Sequence, residues 1–144
     1  GIKVLEFNCR FGDPETQVFM PRIKSDLLEI LIKSSKSPLN ENIHIELEDT
    51  YSTGVVLASN GYPGKYISNK EIVGLSGSKE EFRSIVFHAG TKNLNNKTVT
   101  NGGRVLAITS YGSTINNATK NCYEQISKIF FEGMYYRKDI GFDL

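Results

Sequence analysis

The sequence lacks an excess of either charge and any long apolar run. Its 144 residues carry 17 Lys and Arg against 16 Asp and Glu. The sequence contains no long basic or acidic run, which argues against a nucleic-acid-binding tail or a polybasic membrane patch. The longest apolar runs, such as 30–32 and 54–58, fall far short of the roughly 18 residues of a membrane-spanning helix. These absences predict a protein that binds neither nucleic acid nor membrane.

The sequence also lacks a recognisable cysteine motif and a secretory signal. Cys9 and Cys122 lie far apart and fit neither a C-x-x-C metal pair nor a small disulfide framework. The N-terminus shows no secretory sequence of basic and then apolar residues, so we predict a cytoplasmic protein in a reducing environment. A strand-like pattern begins within the first residues, with no initiator Met and no loose leader, so we expect the chain to be part of a longer protein.

The first 36 residues predict one strand and two short helices. Residues 2–11 alternate between two sets of side chains, which is typical of a strand with one polar face. The polar set is Glu6, Asn8 and Arg10, and the apolar set is Leu5, Phe7, Cys9 and Phe11. The turn GDPE follows, with Asp13 as helix cap and Pro14 at the first helical position. Pro21 is expected to end or kink that helix.

A second helix and a linker complete this first unit. Ser25 or Asp26 caps the helix in this interpretation, and its apolar stripe consists of Ile23, Leu27, Leu28, Leu31 and Ile32. Residues 34–42 are rich in Ser, Asn and Lys and contain Pro38, so we interpret them as a linker. The predicted units are therefore 1–36 and 43–144.

The second unit reads as β-rich with one long helix, which gives an α+β fold class overall. Strands are predicted at 43–48, 52–59, 71–75, 84–90, 97–100 and 103–109, and NGYPG at 60–64 is a turn. The closing helix is expected to begin after the cap Thr114 and to end at Gly133. Its core stripe is Ile115, Ala118, Cys122, Ile126 and Ile129.

The polar face of the first strand suggests metal chemistry. Residues two apart on one strand face are about 6.6 Å apart, which suits two oxygen ligands on one small cation. Glu6 offers an anionic oxygen and Asn8 a neutral carbonyl oxygen, the hard ligands that Mg²⁺ prefers. Arg10 would place a cation where phosphoryl charge accumulates. The alternative interpretation is a strand whose polar face is simply exposed to water, which would show the same pattern.

Longer motifs go beyond this pattern. LEFNCRFGDPETQ at 5–17 resembles the signature of the ATP-grasp domain in the glycinamide ribonucleotide synthetase family, with RFGDPE as its most specific part. Further motifs follow in the order of that family: SDLLE at 25–29, VVLAS-NGYPG-Y at 55–66, VFHAGT at 86–91, VTNGGRVLAIT at 99–109 and YRKDIG at 136–141. Several independent motifs in one order make coincidence a poor explanation.

The resemblance implies an activity and roles for residues. It implies an ATP-dependent ligase that joins glycine to 5-phosphoribosylamine through a glycyl phosphate in purine biosynthesis. Glu6 and Asn8 would bind Mg²⁺ or Mn²⁺, with Glu6 as the bridge between two ions. Arg10 would be catalytic and would contact ATP or acyl-phosphate oxygens.

The resemblance also implies an architecture. The first unit would be the end of an ATP-grasp domain, and the second a small β-rich, hybrid-motif-like domain with a C-terminal helix. We predict a monomer whose N-terminal domain and ATP-grasp lid lie outside this chain, because no glycine-rich phosphate loop replaces them here. The chain alone is therefore expected to be inactive.

Roles in the second unit are less specific. Arg104 is the candidate for binding the ribosylamine substrate or its phosphate, and the turns at 60–64 and 102–103 are interpreted as structural. We interpret Asp13, Glu15 and His88 as structural residues too.

Two other functions fit part of the pattern. A biotin-carboxylase-like ATP-grasp fragment would also follow a metal-binding strand with a β-rich unit, and a non-catalytic β-rich binding module would need no ligand strand. RFGDPE and TNGGRV favour the synthetase over the first alternative.

Overall fold

The structure, a computed structural model, describes residues 1–36, 43–75 and 84–143. Its helices are α1 (Thr16–Phe19), a 3-10 turn (Met20–Arg22), α2 (Leu27–Lys36) and α3 (Ile115–Ile126). Its strands are β1 (Tyr51–Ser59), β2 (Ser84–His88), β3 (Thr91–Leu94), β4 (Lys97–Thr100), β5 (Arg104–Gly112) and β6 (Met134–Tyr135). This mixture of helices and antiparallel strands confirms the predicted α+β class.

Four strands form the central sheet in the order β2-β5-β1-β6, and β3 and β4 form a separate hairpin. All described pairings are antiparallel. β1 and β5 pair along almost their whole length, from Tyr51 opposite Gly112 to Leu57 opposite Leu106. The register then shifts, and Ala58 lies opposite Arg104. Val105 is therefore the extra residue of a β-bulge in β5.

The core lies between α3 and one face of the sheet. Directly opposed residues share a face, so Val55 with Ile108 and Leu57 with Leu106 point together toward α3. The helix contributes Ala118, Cys122 and Ile126, all fully buried. Ile129 and Phe131, after the helix, complete this core. Burial of these side chains is the main favourable contribution to the stability of this layer.

The other face of the sheet receives α1. Gly54 and Thr109 alternate with the core residues and so point away from α3. A β-carbon on Gly54 would overlap the side chain of Val18, so glycine permits the close approach of α1. Ser52 Oγ donates to the carbonyl of Val18 at 3.0 Å, and Thr109 Oγ1 donates to that of Gln17 at 2.9 Å. The turn at 11–19 is thereby attached to the sheet.

The structure corrects several predictions in the first unit. The strand predicted at 2–11 is not formed: residues 1–8 have no regular structure and are exposed, because no described strand pairs with them. Asp13 does not cap α1, whose cap position is Glu15 without a side-chain bond. The α-helix does end before Pro21, as predicted, and Asp26 does cap α2, accepting from the amide of Glu29 at 3.0 Å.

The predicted apolar stripe on α2 is not buried, since the helix has no buried residue. The predicted linker is also shorter than expected, because α2 continues to Lys36. The remainder of the linker, 37–42, lies outside the described residues. The division into units 1–36 and 43–144 stays a prediction.

Predictions in the second unit were more accurate. The strands at 52–59, 84–90, 97–100 and 103–109 and the cap Thr114 are confirmed within a few residues. The predicted strands at 43–48 and 71–75 are wrong, since each contributes only bridge pairs: Leu47 with Ile23, Glu71 with Val99 and Val73 with Phe130. Sequence reasoning did not predict β3 and β6.

The long C-terminal helix was predicted to end at Gly133, but α3 ends at Ile126. Residues 129–131 are instead extended, with Ile129 and Phe131 buried and Phe130 exposed. That alternation has the period of a strand and not of a helix. Gly133 lies in the turn before β6.

None of the helices in the described part of the chain combines the length and the apolar character that crossing a membrane requires.

Candidate functional site

The two predicted metal ligands lie side by side on the exposed N-terminal segment. Asn8 Nδ2 donates to Glu6 Oε1 at 3.0 Å, so the two side chains reach the same side of the chain although no strand is formed. A carboxylate and an amide oxygen are a suitable start for a magnesium shell. In the described residues no group of three or more His, Cys, Asp or Glu side chains could hold a metal ion. Glu6 and Asn8 can therefore supply only part of such a shell.

Arg10 does not join this pair. Its Nη1 donates to the carbonyl of Phe11, the next residue, at 2.6 Å. The ring of Phe11 in turn contacts that of Phe19, with centroids 5.9 Å apart. Arg10 thus lies at the point where the exposed segment meets the turn that is attached to the sheet.

Asp13 is the best-connected residue of that turn. Arg104 Nη2 donates to Asp13 Oδ2 at 2.8 Å and Arg104 Nη1 to its backbone carbonyl at 2.9 Å. Gln17 Nε2 donates to the remaining carboxylate oxygen, Oδ1, at 2.9 Å. The structure therefore shows Asp13 as the partner of Arg104 and Gln17, in place of the helix-cap role predicted for it.

Arg104 reaches Asp13 because of the bulge in β5. Strict alternation would place Arg104 on the same face as Leu106, toward α3. The extra residue Val105 instead sets Arg104 opposite Ala58, on the face that α1 covers. A bulge that redirects a side chain in this way is a recurrent feature beside functional sites.

The two glycine turns support the start of β5. Ser59 donates twice to the loop before Arg104, from its amide to the carbonyl of Gly103 at 2.8 Å and from Oγ to that of Gly102 at 2.9 Å. A β-carbon on Gly103 would overlap the ring of Tyr62, so the turn at 60–64 packs directly on residues 102–103. Both turns are structural in these contacts, as predicted.

A cavity of about 310 Å³ lies next to the contact between Arg104 and Asp13. Its lining is mostly apolar, and two arginines and three tyrosines contribute to it. Besides Arg104 and Tyr62, the cavity is lined by Pro14, Gly54, Val55, Val56, Ala58, Tyr135, Tyr136, Arg137 and Ile140. Sequence reasoning did not assign Tyr135, Tyr136 or Arg137 to any site, although YRKDIG was noted as a motif.

Arg137 and His88 have local partners. Arg137 donates to both oxygens of Asp139 at 2.9 Å, which raises the pKa of the guanidinium and lowers the pKa of the carboxyl. His88 Nδ1 lies 3.0 Å from Thr91 Oγ1, the kind of contact expected of a structural histidine.

Comparison with known proteins decides the family. Residues 52–143 match the family described as "Phosphoribosylglycinamide synthetase, C domain". The chain belongs to this family. The match contains the central sheet except its first residue, Tyr51, together with α3 and Arg104. It begins after the segment that carries Glu6, Asn8 and Arg10.

Relatives of this C-domain family match the chain over nearly its full length, including that first segment. The chain is 49% identical over 141 residues to a phosphoribosylamine-glycine ligase of Caldanaerobacter subterraneus, covering 98% of this chain and 33% of the relative. It is 48% identical over 142 residues to the chicken (Gallus gallus) trifunctional purine biosynthetic protein adenosine-3, covering 99% of this chain and 14% of the relative. The chain thus spans a third or less of these relatives.

A solved structure agrees with the fold. The crystal structure of a phosphoribosylamine-glycine ligase from Thermotoga maritima superposes on this C-domain chain with a TM-score of 0.76 at 34% identity. The superposition covers 94% of this chain and 32% of that protein.

Proposed function

We propose that this chain is part of an ATP-dependent ligase that joins glycine to 5-phosphoribosylamine, giving glycinamide ribonucleotide, ADP and phosphate in purine biosynthesis. The observation that carries the proposal is the 49% identity to a phosphoribosylamine-glycine ligase over 98% of the chain. The family match over 52–143 supports it independently. No matched family or relative named above is a biotin carboxylase or a non-catalytic binding module.

The chemistry of the first segment supports a role in phosphoryl transfer. Activating the glycine carboxylate as glycyl phosphate brings two anions together, and their repulsion must be offset. A bound Mg²⁺ or Mn²⁺ would supply positive charge at the phosphoryl oxygens. Glu6 and Asn8, whose side chains meet at 3.0 Å, would hold the metal through a carboxylate and an amide oxygen.

Arg10 is proposed as the catalytic cation at this site. Its guanidinium is permanently charged and offers several donors to phosphate oxygens. To do so it would exchange its contact with the carbonyl of Phe11 for one with ATP or the acyl phosphate. A direct contact of Arg104 with the ribosylamine phosphate stays a prediction, and it competes with the observed bonds from both terminal nitrogens of Arg104 to Asp13.

The remainder of the proposed enzyme lies outside this chain. We propose that residues 1–36 end an ATP-grasp domain whose lid and neighbouring N-terminal domain complete the ATP and glycine sites. A cytoplasmic, monomeric enzyme stays our prediction.

Substituting Glu6 in the full-length enzyme tests the assignment. We expect Glu6→Gln to lower glycine- and ribosylamine-dependent phosphate release and to raise the half-saturating Mg²⁺ concentration, each at least ~10-fold, because a charged metal ligand is lost. Phosphate release is measured across a magnesium titration.

Glu29→Gln is the matched control for this substitution. Glu29 is likewise an exposed carboxylate, on α2, and it is paired with Lys33 at 2.7 Å. Its substitution should change neither quantity. Unchanged activity and magnesium dependence in Glu6→Gln would show that Glu6 is not a ligand.

A further inference from the structure

We propose that Arg104 and Asp13 form a positioning pair, in which the C-terminal sheet fixes the turn that follows the proposed metal-binding and phosphoryl-binding segment. The inference rests on the proposed function and assigns Arg104 a role through Asp13, in place of direct contact with substrate.

The geometry of the pair is directional. Arg104 and Asp13 are 91 residues apart, and two terminal nitrogens of one guanidinium reach both the carboxylate and the backbone carbonyl of Asp13, at 2.8 and 2.9 Å. A planar guanidinium holding two acceptors of one residue fixes orientation as well as distance. Gln17 restrains the other carboxylate oxygen at 2.9 Å.

The pair lies where restraint of the chain begins. Residues 1–10 are exposed, and the described contacts of Glu6, Asn8 and Arg10 stay within that segment or reach Phe11. From Gly12 onward the chain is held: the Gly12 carbonyl accepts from the amide and the hydroxyl of Thr16, and Thr109 binds the carbonyl of Gln17. Asp13 lies three residues after Arg10. It is thus the residue nearest in sequence to the proposed site at which a described hydrogen bond joins the turn to the sheet.

The fold places Arg104 for this purpose. The bulge at Val105 turns Arg104 from the core face to the face on which α1 lies. Ser59 fixes the loop just before it through two hydrogen bonds. The donor is therefore built on the rigid sheet, and the acceptor on the turn that it orients.

The exposure of the pair argues against a role in stability alone. The side chains of Arg104 and Asp13 are 38% and 46% exposed, and ion pairs at such exposure contribute little to the free energy of unfolding. Catalysis is far more sensitive to placement, since an error of about 1 Å in the position of a reacting group can cost up to about 100-fold in rate. Loss of the pair should therefore change turnover much more than stability.

The test uses Arg104→Ala, Arg104→Lys, Asp13→Ala and the double variant Asp13→Ala with Arg104→Ala, each in the full-length enzyme. We expect every variant to lower kcat by about 10-fold or more, with less than about 3-fold change in KM for phosphoribosylamine. The double variant should be no slower than Arg104→Ala, because residues that act as one unit are not additive. Lys should not rescue, since one ammonium cannot reproduce the planar fork. The thermal midpoint should stay within about 2 °C.

Lys97→Ala is the control. Lys97, on the separate hairpin, forms an ion pair of similar length, 2.7 Å, with Glu71. It should keep wild-type kcat. A rise of 10-fold or more in KM for phosphoribosylamine in Arg104→Ala but not in Asp13→Ala would overturn the proposal and make Arg104 a direct contact. Wild-type kcat in Arg104→Ala and Asp13→Ala would also overturn it.

A binding readout separates this proposal from the proposed function. Mn²⁺ affinity in the presence of ATP, followed by electron paramagnetic resonance, should fall several-fold in the two alanine single variants, Arg104→Ala and Asp13→Ala. If wild-type protein lacks glycine-dependent ADP release, the proposed function fails, and the Mn²⁺ titration still decides the pair: weaker binding in both variants supports it, and unchanged binding overturns it.

Discussion

Single residues in this chain take roles that depend on partners far away in sequence. Asp13 stands where a helix cap is expected, yet its carboxylate binds Arg104, which lies 91 residues further along the chain. Gly103 is required because the Tyr62 ring occupies the space of a β-carbon. Neither contact has a local pattern, since each joins segments that only the folded sheet brings together. The pairing of Glu6 with Asn8, in contrast, is a local contact between residues two apart in the sequence.

The two cysteines differ sharply in their surroundings. Cys9 is exposed, whereas Cys122 is fully buried and donates its thiol to the carbonyl of Ile108 at 3.2 Å. Burial raises the pKa of Cys122 to about 12, and only the thiolate reacts with disulfide reagents. We expect one of the two cysteines to react with an aromatic disulfide at pH 8 in native protein, and both in denaturant.

Cys9→Ser provides the control, because that variant should show no rapid reaction in the native state. Two rapid reactions in native wild-type protein would contradict the burial of Cys122. The raised pKa also makes stability depend on pH. Between about pH 9 and pH 12 the folded state keeps the thiol proton and the unfolded state loses it, so the free energy of unfolding falls progressively as pH rises. Below the ordinary thiol pKa it makes no pH-dependent contribution.

At the level of elements, helix α3 depends on its first turn. Thr114 Oγ1 accepts from the amide of Asn117 at 3.1 Å and satisfies one of the amides left open at the helix start. We expect Thr114→Ala to lower the free energy of unfolding by about 1 kcal/mol, measured by urea denaturation, and Thr114→Ser to restore most of it.

Asn116→Ala is the matched control, since Asn116 is an exposed residue in the first turn of α3, two residues after Thr114, and is not the cap. It should leave stability unchanged or slightly higher, because Ala favours helix. Equal losses in Thr114→Ala and Asn116→Ala would argue against a specific capping bond.

Elements that carry their own signals were predictable from sequence. The apolar run of β1, the cap of α3 and the spacing of Ala118, Cys122 and Ile126 all correspond to the structure. Alternation alone misled at 2–11 and 43–48, because a strand also needs a neighbour to accept its backbone hydrogen bonds. The end of α3 was misplaced because Ile129 fits a helical stripe as well as the strand-like pair it forms with Phe131.

The site was only partly predictable for the same reason. The spacing of Glu6 and Asn8 indicated that their side chains would lie together, and they do meet, although the strand on which that prediction relied is not formed. Motif order pointed to Arg104. The attachment of Asp13 to Arg104 depends on a bulge that sets the face of one side chain. A register shift of this kind leaves no period in the sequence from which it could be predicted.

On the scale of the whole molecule, the two faces of the central sheet have different partners. Its core face packs on α3 and stabilises the family domain at 52–143. Its other face carries α1 and the turn at Asp13 through Ser52, Gly54, Thr109 and Arg104. The same sheet therefore holds the turn that follows the proposed metal ligands.

This arrangement predicts that the 144-residue chain alone neither binds ATP tightly nor catalyses. Glu6, Asn8 and Arg10 are exposed in a segment without regular structure, and two oxygen ligands complete no magnesium shell. Electrostatic catalysis requires groups that are held in place before the reaction. We expect ATP to bind with a Kd above about 1 mM by calorimetry, and we expect no glycine-dependent ADP release. The full-length enzyme is the positive control in the same assay, and ADP release by the chain alone, dependent on both glycine and phosphoribosylamine, would show that the remaining domains are dispensable.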